Sequence, residues 1–180
     1  MHIHLTGSHI ELLFGKNYQL TNIMDLTIPG QFACAENVSI IGPEGRIDNV
    51  VLVGPARPYS QVEISRTNGL TLGIDAPLRT SGDIAGSPGI RIIGPEAELE
   101  LTEGVIMAAR HVHMHSDDAE KLGLETGDTV NIRVPGPRGL VFNEVKIKCG
   151  QDEALEMHVD FDEGHAAGIT DFQEVELILN

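Results

Sequence analysis

The feature that most constrains this chain is an internal repeat. A His-x-His-hydrophobic segment at residues 2–5 recurs at residues 111–114. Further along each copy, residues 62–69 align without gaps on residues 157–164. The interval between the two segments is longer in the first copy than in the second. We therefore interpret the chain as two copies of one module, of which the first has the longer interior.

Most of the remaining sequence consists of short runs rich in Val and Ile, separated by Gly-Pro, Pro-Gly or Gly-Asp turn signals. The predicted strands are residues 37–41, 49–53, 61–65, 89–93, 129–134, 143–148, 156–160 and 174–179. One helix is predicted, capped at its start by Ser116 or Asp117 and ended by Gly123. Many short strands with little helix favour small closed or partly closed β-barrels.

The sequence therefore predicts a mainly β protein with two tandem small β-barrel domains related by the repeat. A Gly/Pro-rich turn followed by an acidic stretch lies between Ser87 and Gly104. We accordingly place the first β-barrel domain at residues 1–88 and the second at residues 89–180. Strands are allowed to exchange between the two.

Composition excludes several classes of function. The chain of 180 residues has a formal net charge of −15, so a nucleic-acid partner or an anionic membrane surface is not expected. Residues 1–90 hold five basic and eight acidic residues, and residues 91–180 hold seven and nineteen. Contacts with an anionic ligand are therefore expected mostly in the first half. Cys34 and Cys149 form no disulfide framework, which fits a reducing, cytoplasmic location.

No membrane segment or secretion signal is predicted. The longest stretch without a charged residue has ten residues, whereas a spanning helix needs roughly 20 apolar ones. No charged segment followed by an apolar run begins the chain, so no signal peptide is expected.

The paired histidines are the strongest candidates for chemistry. In a strand, residues two apart face the same side, so each His-x-His pair can present two imidazoles to one metal ion. The second repeated segment offers a third donor at matching positions, Glu63 in one copy and His158 in the other. The predicted sets are His2, His4 and Glu63, and His111, His113 and His158. Three protein ligands leave one coordination position open, which is typical of catalytic zinc sites.

The other histidines and the arginines are weaker candidates. His165 lies near His158 in sequence and is a candidate ligand contact. His9 is interpreted as a solvated or loop residue, and His115 as a surface or outer-shell residue. Arg57, in the turn that leads to the strand of Glu63, is a candidate for anion binding. Arg110 is expected to point away from the histidines.

The ordered motifs resemble the phosphate propanoyltransferase family, the phosphotransacylases associated with bacterial microcompartments. In the first half they are His2-Ile3-His4-Leu5, Pro29-Gly30-Gln31-Phe32-Ala33, Arg57 with Gln61-Val62-Glu63-Ile64-Ser65, Leu72-Gly73-Ile74 and Ser81-Gly82-Asp83. In the second half they are Arg110-His111-Val112-His113-Met114 and Leu155-Glu156-Met157-His158-Val159-Asp160. The resemblance covers nearly all of the chain.

This resemblance implies two β-barrel domains with short capping helices and an active site at their interface. It implies two divalent metal ions, usually zinc, one held by His2, His4 and Glu63, the other by His111, His113 and His158. Arg57 would bind phosphate. The implied reaction converts a short-chain acyl-CoA and phosphate to acyl phosphate and CoA, reversibly.

The resemblance also bears on assembly and location. A homodimer is implied. A cytoplasmic location is expected, and a bacterial microcompartment is the alternative left open, although the N-terminal encapsulation peptide of some family members is not seen.

Two alternatives use the same residues. A dinuclear metallohydrolase would use water as the nucleophile against a thioester or phosphoester. A non-catalytic double-barrel binding module would use metal only to join its halves, and the segment 119–130 resembles one common in such barrels. A structural metal site has four protein ligands, so three per set favours the catalytic interpretations.

Overall fold

The computed structural model describes residues 1–170 and 172–179, with 40% of residues in strands and 16% in helices. They form two compact units, each built around a curled, half-barrel sheet. The first unit holds Met1–Leu26 and Gly30–Ala108, and the second holds Thr27–Pro29 and the chain from Ala109 onward. The predicted mainly β fold, with short helices and a repeated module, is confirmed.

The first unit contains nine strands and two helices. They are β1 (His2–His4), α1 (Gly7–Phe14), β2 (Asn22–Asp25), β3 (Phe32–Ile41), β4 (Arg46–Gly54), β5 (Gln61–Glu63), α2 (Arg66–Leu72), β6 (Leu78–Arg79), β7 (Ile90–Ile93), β8 (Glu98–Leu101) and β9 (Val105–Ala108). The sheet order is β6-β9-β5-β1-β4-β3-β7-β8, with β2 paired to β3. The short strand β1 therefore lies inside the sheet, parallel to β4 and antiparallel to β5.

The second unit repeats this arrangement on a smaller scale. Its elements are β10 (His111–His115), α3 (Ser116–Leu122), β11 (Thr129–Val134), β12 (Leu140–Gly150), β13 (Glu156–His158), α4 (Phe161–Ala167) and β14 (Glu176–Ile178). The sheet order is β13-β10-β12-β11-β14. Strand β10 is parallel to β12 and antiparallel to β13, as β1 is to β4 and β5. The repeat seen in the sequence is thus a repeat of strand pairing.

In the two strands that carry the histidine pairs, β1 and β10, apolar residues alternate with histidines. The apolar side chains face the core, and the histidines face the other side of the sheet. In β1, Ile3 and the following Leu5 are buried in the core of the first unit. In β10, Val112 and Met114 are buried in the core of the second unit. Because successive side chains of a strand point to opposite faces, the histidines between them face away from these apolar clusters.

One glycine fixes the end of β4, from which the Arg57 loop departs. A side chain at Gly54 would place its Cβ 2.4 Å from the ring of Phe32. Only glycine lets this ring pack directly on the backbone at that point. The aromatic ring and the strand end are therefore held together just before the loop begins.

The division between the units falls later than the sequence-based boundary at residue 88. Strands β7, β8 and β9 follow residue 88 and belong to the first sheet, because β7 pairs with β3 and β9 pairs with β5. The Gly/Pro-rich segment at residues 87–89 is thus a turn within a unit. Each sheet takes its strands from one unit alone, so the allowed exchange of strands is not observed between these sheets.

The helices also differ in part from the prediction, which gave one helix where the described residues form four. The residue that caps α3 is His115, whose Nδ1 accepts a hydrogen bond from the Asp117 backbone N–H at 3.2 Å, and not Ser116 or Asp117. Gly123 ends α3 in a left-handed conformation, as predicted. No helix in the described part of the chain is long and apolar enough to cross a membrane.

Candidate metal and phosphate site

The first predicted donor set converges in the structure. His2 and His4 lie on β1, and the antiparallel register places His2 opposite Glu63 of β5. The Nε2 atoms of His2 and His4 are 3.1 Å apart, and Nε2 of His2 is 3.5 Å from Oε2 of Glu63. One donor atom from each residue lies within 4.8 Å of the others. The gapless alignment of the repeats thus anticipated which residue completes the set.

His4 is held as a neutral imidazole. Its Nδ1 lies 3.0 Å from the carbonyl oxygen of Val53, so Nδ1–H donates there and Nε2 keeps its lone pair toward His2. The residue is 2% exposed. Burial, together with the electrostatic effects of nearby His2 and Arg57, lowers the pKa of His4 to about 3. A neutral imidazole is the form that binds metal ions.

Glu63 is oriented by two neighbours that the sequence analysis did not identify as part of the site. Gln61 Nε2 and Ser81 Oγ both donate to Oε1 of Glu63, at 2.6 Å and 3.0 Å. The buried Gln61 is itself fixed by the Gly82 backbone N–H, which donates to its Oε1 at 2.8 Å. With Oε1 engaged, Oε2 is the oxygen directed at His2. Both residues stand in motifs of the family resemblance. Gln61 is two residues before Glu63 on the same strand, so its spacing did place it on the same face, whereas nothing in the sequence connects Ser81 to Glu63.

The second donor set converges in the same way. His111 and His113 lie on β10, and His111 is opposite His158 of β13. The Nε2 atoms of His111 and His113 are 2.9 Å apart, and the ring centroids of His113 and His158 are 4.5 Å apart. The set fits within the same 4.8 Å limit as the first. In both sets, the first histidine of the pair therefore lies directly opposite the third donor on the neighbouring antiparallel strand.

Two rings of the second set, those of His111 and His113, are also held by contacts at their Nδ1 atoms. The Nδ1 of His111 donates to the carbonyl oxygen of Ala109 at 2.8 Å. The Nδ1 of His113 lies 2.5 Å from Oε2 of Glu153, whose Oε1 is 2.9 Å from Nζ of Lys148. Burial and the charges of His158 and His111 lower the pKa of His113 to about 4. Glu153 was missed in the sequence, because no spacing connects it to the histidine motif.

The spacing of the donor atoms fits a small divalent ion. Zinc–nitrogen bonds of about 2.0–2.1 Å at the tetrahedral angle separate neighbouring ligand atoms by about 3.3 Å. The measured separations of 2.9, 3.1 and 3.5 Å lie around this value. Imidazole nitrogens with a carboxylate are also a donor type that zinc accepts. The residues present thus fit the metal ions that the resemblance implies.

Arg57 lies close to the first donor set. Its backbone N–H donates to the carbonyl oxygen of Leu5 at 2.8 Å, and its Nη2 donates to Oε1 of Gln31 at 3.2 Å. Arg57 has no carboxylate within ion-pair distance among residues 1–170 and 172–179. Several other arginines do: Arg46, Arg66, Arg79, Arg91, Arg110 and Arg133. A partly exposed guanidinium without an ion pair in the described chain can receive an anion.

Comparison with known proteins gives the family. The family model described as phosphate propanoyltransferase matches residues 1–170. The phosphate propanoyltransferase of Listeria monocytogenes is 46% identical over 167 residues, which cover 93% of this chain and 78% of that protein. The proteins of that name from Thermotoga maritima and Salmonella typhimurium are each 50% identical, over 92% and 93% of this chain and 80% of each relative.

The chain belongs to the phosphate propanoyltransferase family. The prediction of an enzyme of the phosphate acyltransferase class is thereby confirmed. The matched region contains every residue of the two donor sets and Arg57.

The other histidines and arginines considered in the sequence of this phosphate propanoyltransferase family member lie outside the donor sets. His165 is exposed on α4, with its ring centroid 6.0 Å from that of Phe161. His9 lies on α1 and not in a loop, and it is only partly exposed: Ser60 Oγ lies 2.7 Å from its Nδ1, and burial lowers its pKa. Arg110 donates to Glu163 and to the carbonyl oxygen of Asn143, as expected for a residue that points away from the histidines.

Proposed function

We propose that this chain transfers the propanoyl group of propanoyl-CoA to inorganic phosphate, giving propanoyl phosphate and CoA, and that the reaction is reversible. A phosphate oxygen forms the new bond to the thioester carbonyl carbon, and the carbon–sulfur bond breaks to release CoA. The names of the relatives support the acyl group and the acceptor. The observation that carries the proposal at the level of residues is the pair of three-donor sets at matching positions of the repeat.

We further propose that each set holds one divalent metal ion, zinc being the best fit to the donor spacing and type. The first would be held by His2, His4 and Glu63, and the second by His111, His113 and His158. Bound with an open coordination position, such ions supply Lewis-acid polarisation of a phosphate oxygen or of the thioester carbonyl. The low pKa values of His4 and His113 support this role, because both rings are neutral and ready to bind metal at neutral pH.

Arg57 is proposed to bind and orient the phosphate. Its planar guanidinium offers paired N–H donors that match two phosphate oxygens, and Gln31 holds one end of it. Fixing phosphate against the thioester removes much of the entropic cost of bringing two reactants together. His165, exposed at the end of α4, is proposed as a contact for the CoA substrate.

Two observations support this function. Each donor set supplies three protein ligands among the described residues, where a purely structural zinc site uses four, which favours a catalytic role over a non-catalytic one. Arg57 stands beside the first set with its guanidinium available for an anion, as an acceptor phosphate requires. Transfer and hydrolysis are separated by the experiment that follows.

The test is CoA thiol release from propanoyl-CoA by the zinc-loaded protein, with and without phosphate. We expect release only with phosphate, together with propanoyl phosphate detected as its hydroxamate. His158→Ala is expected to lower the rate by about 100-fold or more, because a donor is lost. His115→Ser removes a neighbouring imidazole and keeps a residue able to cap α3, so it serves as the matched control.

The other outcomes are equally informative. Release without phosphate would contradict the proposal in favour of a thioester hydrolase. Absence of release from folded, zinc-loaded protein would favour a binding module. Equal rates for His158→Ala and His115→Ser would remove the second donor set from the mechanism.

A further inference from the structure

The two donor sets differ in what stands behind the second histidine of each pair. In the first unit, Nδ1 of His4 faces the backbone carbonyl oxygen of Val53 at 3.0 Å. In the second unit, Nδ1 of His113 faces a carboxylate oxygen of Glu153 at 2.5 Å. The side chains of His113 and Glu153 are 4% and 12% exposed, so this contact is shielded from water.

Strand register shows how the difference arises. Leu52 pairs with Ile3 and Ile147 pairs with Val112, so Val53 and Lys148 occupy corresponding positions of the two units. In the first unit, the backbone carbonyl of Val53 at this position accepts the hydrogen bond from His4. The second unit instead has the Lys148 side chain, whose Nζ lies 2.9 Å from Oε1 of Glu153. Lys148 thereby anchors the carboxylate whose other oxygen contacts His113.

The two sets also differ in where their carboxylates lie. The first set contains a carboxylate as a direct donor, Glu63. The second contains three imidazoles; the Glu156 carboxylate lies 3.3 Å from Nε2 of His158, and the Glu153 carboxylate, paired with Lys148, lies on the far side of the His113 ring. A carboxylate bonded to the remote nitrogen of a metal-binding histidine fixes the ring and makes its free nitrogen a stronger donor.

We propose that Glu153 is a positioning residue that orients His113 and strengthens it as a metal ligand, with Lys148 as the anchor of Glu153. This inference rests on the proposed metal-binding function of the second donor set. It assigns to Glu153 and Lys148 the task that Val53 performs with its backbone in the first set.

The test measures zinc affinity of the second set alone, by competition with a chromogenic chelator. The parent protein is His4→Ala, in which the first set has lost a donor. In this background, Glu153→Gln keeps a hydrogen-bond acceptor without the charge, and Glu153→Ala removes both. We expect zinc affinity to fall about 10- to 100-fold, with the larger loss for alanine. Lys148→Met should give a smaller loss.

Glu120→Gln is the matched control, because it removes one exposed carboxylate from the same unit without touching a donor histidine. The visible absorption bands of the cobalt-loaded proteins provide a second readout. These bands should change in the Glu153 variants and stay the same in the control. Circular dichroism of the metal-free proteins verifies that each variant is folded.

Two failures are distinguishable. If Glu153→Gln and Glu153→Ala have the same zinc affinity and the same cobalt bands as the parent, this inference is overturned. The proposed metal site itself would not be contradicted by that result. A folded parent that binds no zinc would overturn the proposed metal role of the second set, and this inference with it.

Discussion

At the scale of single residues, three of the five donor histidines are fixed by a second contact at their remote nitrogen. His4 donates to Val53, His111 donates to Ala109, and His113 contacts Glu153. Such contacts select the tautomer that leaves Nε2 available and restrict rotation of the ring. The donor atoms are therefore prearranged by the protein, which lowers the ordering cost of binding a metal ion.

Arg57→Lys is expected to weaken phosphate binding. Lysine keeps the charge but loses the planar fork and the contact to Gln31. Loss of one charged hydrogen bond, about 1.5–3 kcal/mol, corresponds to a rise of about 10- to 100-fold in the KM for phosphate. Steady-state kinetics at varied phosphate concentration measures this KM. The KM for propanoyl-CoA is expected to change little. Arg46→Lys, in an exposed ion pair with Asp48, is the control. An unchanged KM for phosphate would exclude Arg57 as the anion contact.

The sequence predicted the two donor sets but not the residues that support them. The donors follow from the repeat and from the two-residue period of a strand, both of which can be read along the chain. Ser81 and Glu153 act on partners that are distant in sequence, whereas Gln61 lies two residues before Glu63 on β5 and was overlooked although the same period places it on that face. The cap of α3 was misplaced, because histidine is an uncommon cap and the neighbouring Ser116 and Asp117 are favoured ones.

At the scale of elements, the helices that follow β5 and β13 begin with the same device. Ser65 caps α2 with Asn68 as its reciprocal partner, and Asp160 caps α4 with Glu163. In α4, Glu163 also accepts a hydrogen bond from Arg110, which directly precedes β10. The cap therefore joins the helix to the start of the strand that carries His111.

Asp160→Ala is expected to lower the free energy of unfolding by about 1 kcal/mol, because the Glu163 backbone N–H loses its acceptor. Asp160→Ser, which installs the residue used at the matching position Ser65, should recover most of that loss. Urea unfolding followed by circular dichroism measures both. Equal destabilisation by alanine and serine would show that the charge of Asp160, and not its capping bond, matters.

The segment before β3 is anchored by a buried carboxylate. Glu36 is 7% exposed, accepts a hydrogen bond from Tyr18 Oη at 2.8 Å, and accepts another from the Thr21 backbone N–H at 3.1 Å. Burial alone would raise the pKa of Glu36, but these hydrogen bonds outweigh it and hold the pKa below its usual value. The folded state therefore favours the ionised form of this side chain.

This shift predicts a pH dependence of stability. A carboxyl with a lowered pKa in the folded state stabilises the fold above its unfolded pKa, about 4.3 for glutamate, and loses that effect as pH falls through the folded value. Glu36→Gln should thus be less stable than the parent at pH 7, by on the order of 1–2 kcal/mol. The difference should shrink below about pH 4.3. Urea unfolding at several pH values measures it, with exposed Glu96→Gln as control. If the stability difference between the parent and Glu36→Gln does not depend on pH, a lowered pKa of Glu36 in the folded state is contradicted.

Every predicted strand overlaps an observed one, and the missed elements are the helices α1, α2 and α4 and several strands of two to four residues. Runs such as 129–134 are rich in β-branched residues and bounded by turn signals, so their state is fixed locally. The helices have only seven or eight residues, too few for a helical period, and α3 was recognised by its terminal signals alone. They depend on capping and on packing against their own unit, which a sequence window does not contain.

At the scale of the whole molecule, metal binding is expected to be linked to stability. An ion that binds only the folded chain stabilises it by about 4 kcal/mol when present at about 1,000 times its dissociation constant. Removal of metal with a chelator should therefore lower Tm, and added zinc should restore it. His113→Ala should show a smaller response than the parent, and chelator already saturated with zinc is the control. Identical Tm values with and without chelator would contradict the proposed sites.

The repeat was predictable at this scale, and the point of division was not. A repeat shows that two modules exist but leaves the residues between them unassigned. Residues 90–108 lie in that interval, and their pairing with β3 and β5 assigns them to the first unit. Such pairing depends on contacts between strands distant in sequence, for which the turn at residues 87–89 gave no indication.

The place of β1 inside its sheet has a consequence for how the protein is made. His2 and His4 leave the ribosome before both neighbours of β1, which follow about fifty to sixty residues later. At a synthesis rate of about 5–20 residues per second, the histidine pair waits roughly 3–12 s for Glu63. During that interval the nascent chain offers two imidazoles without the carboxylate that completes the set. Completion of the first donor set is therefore timed by translation of β5, not by the appearance of the histidines.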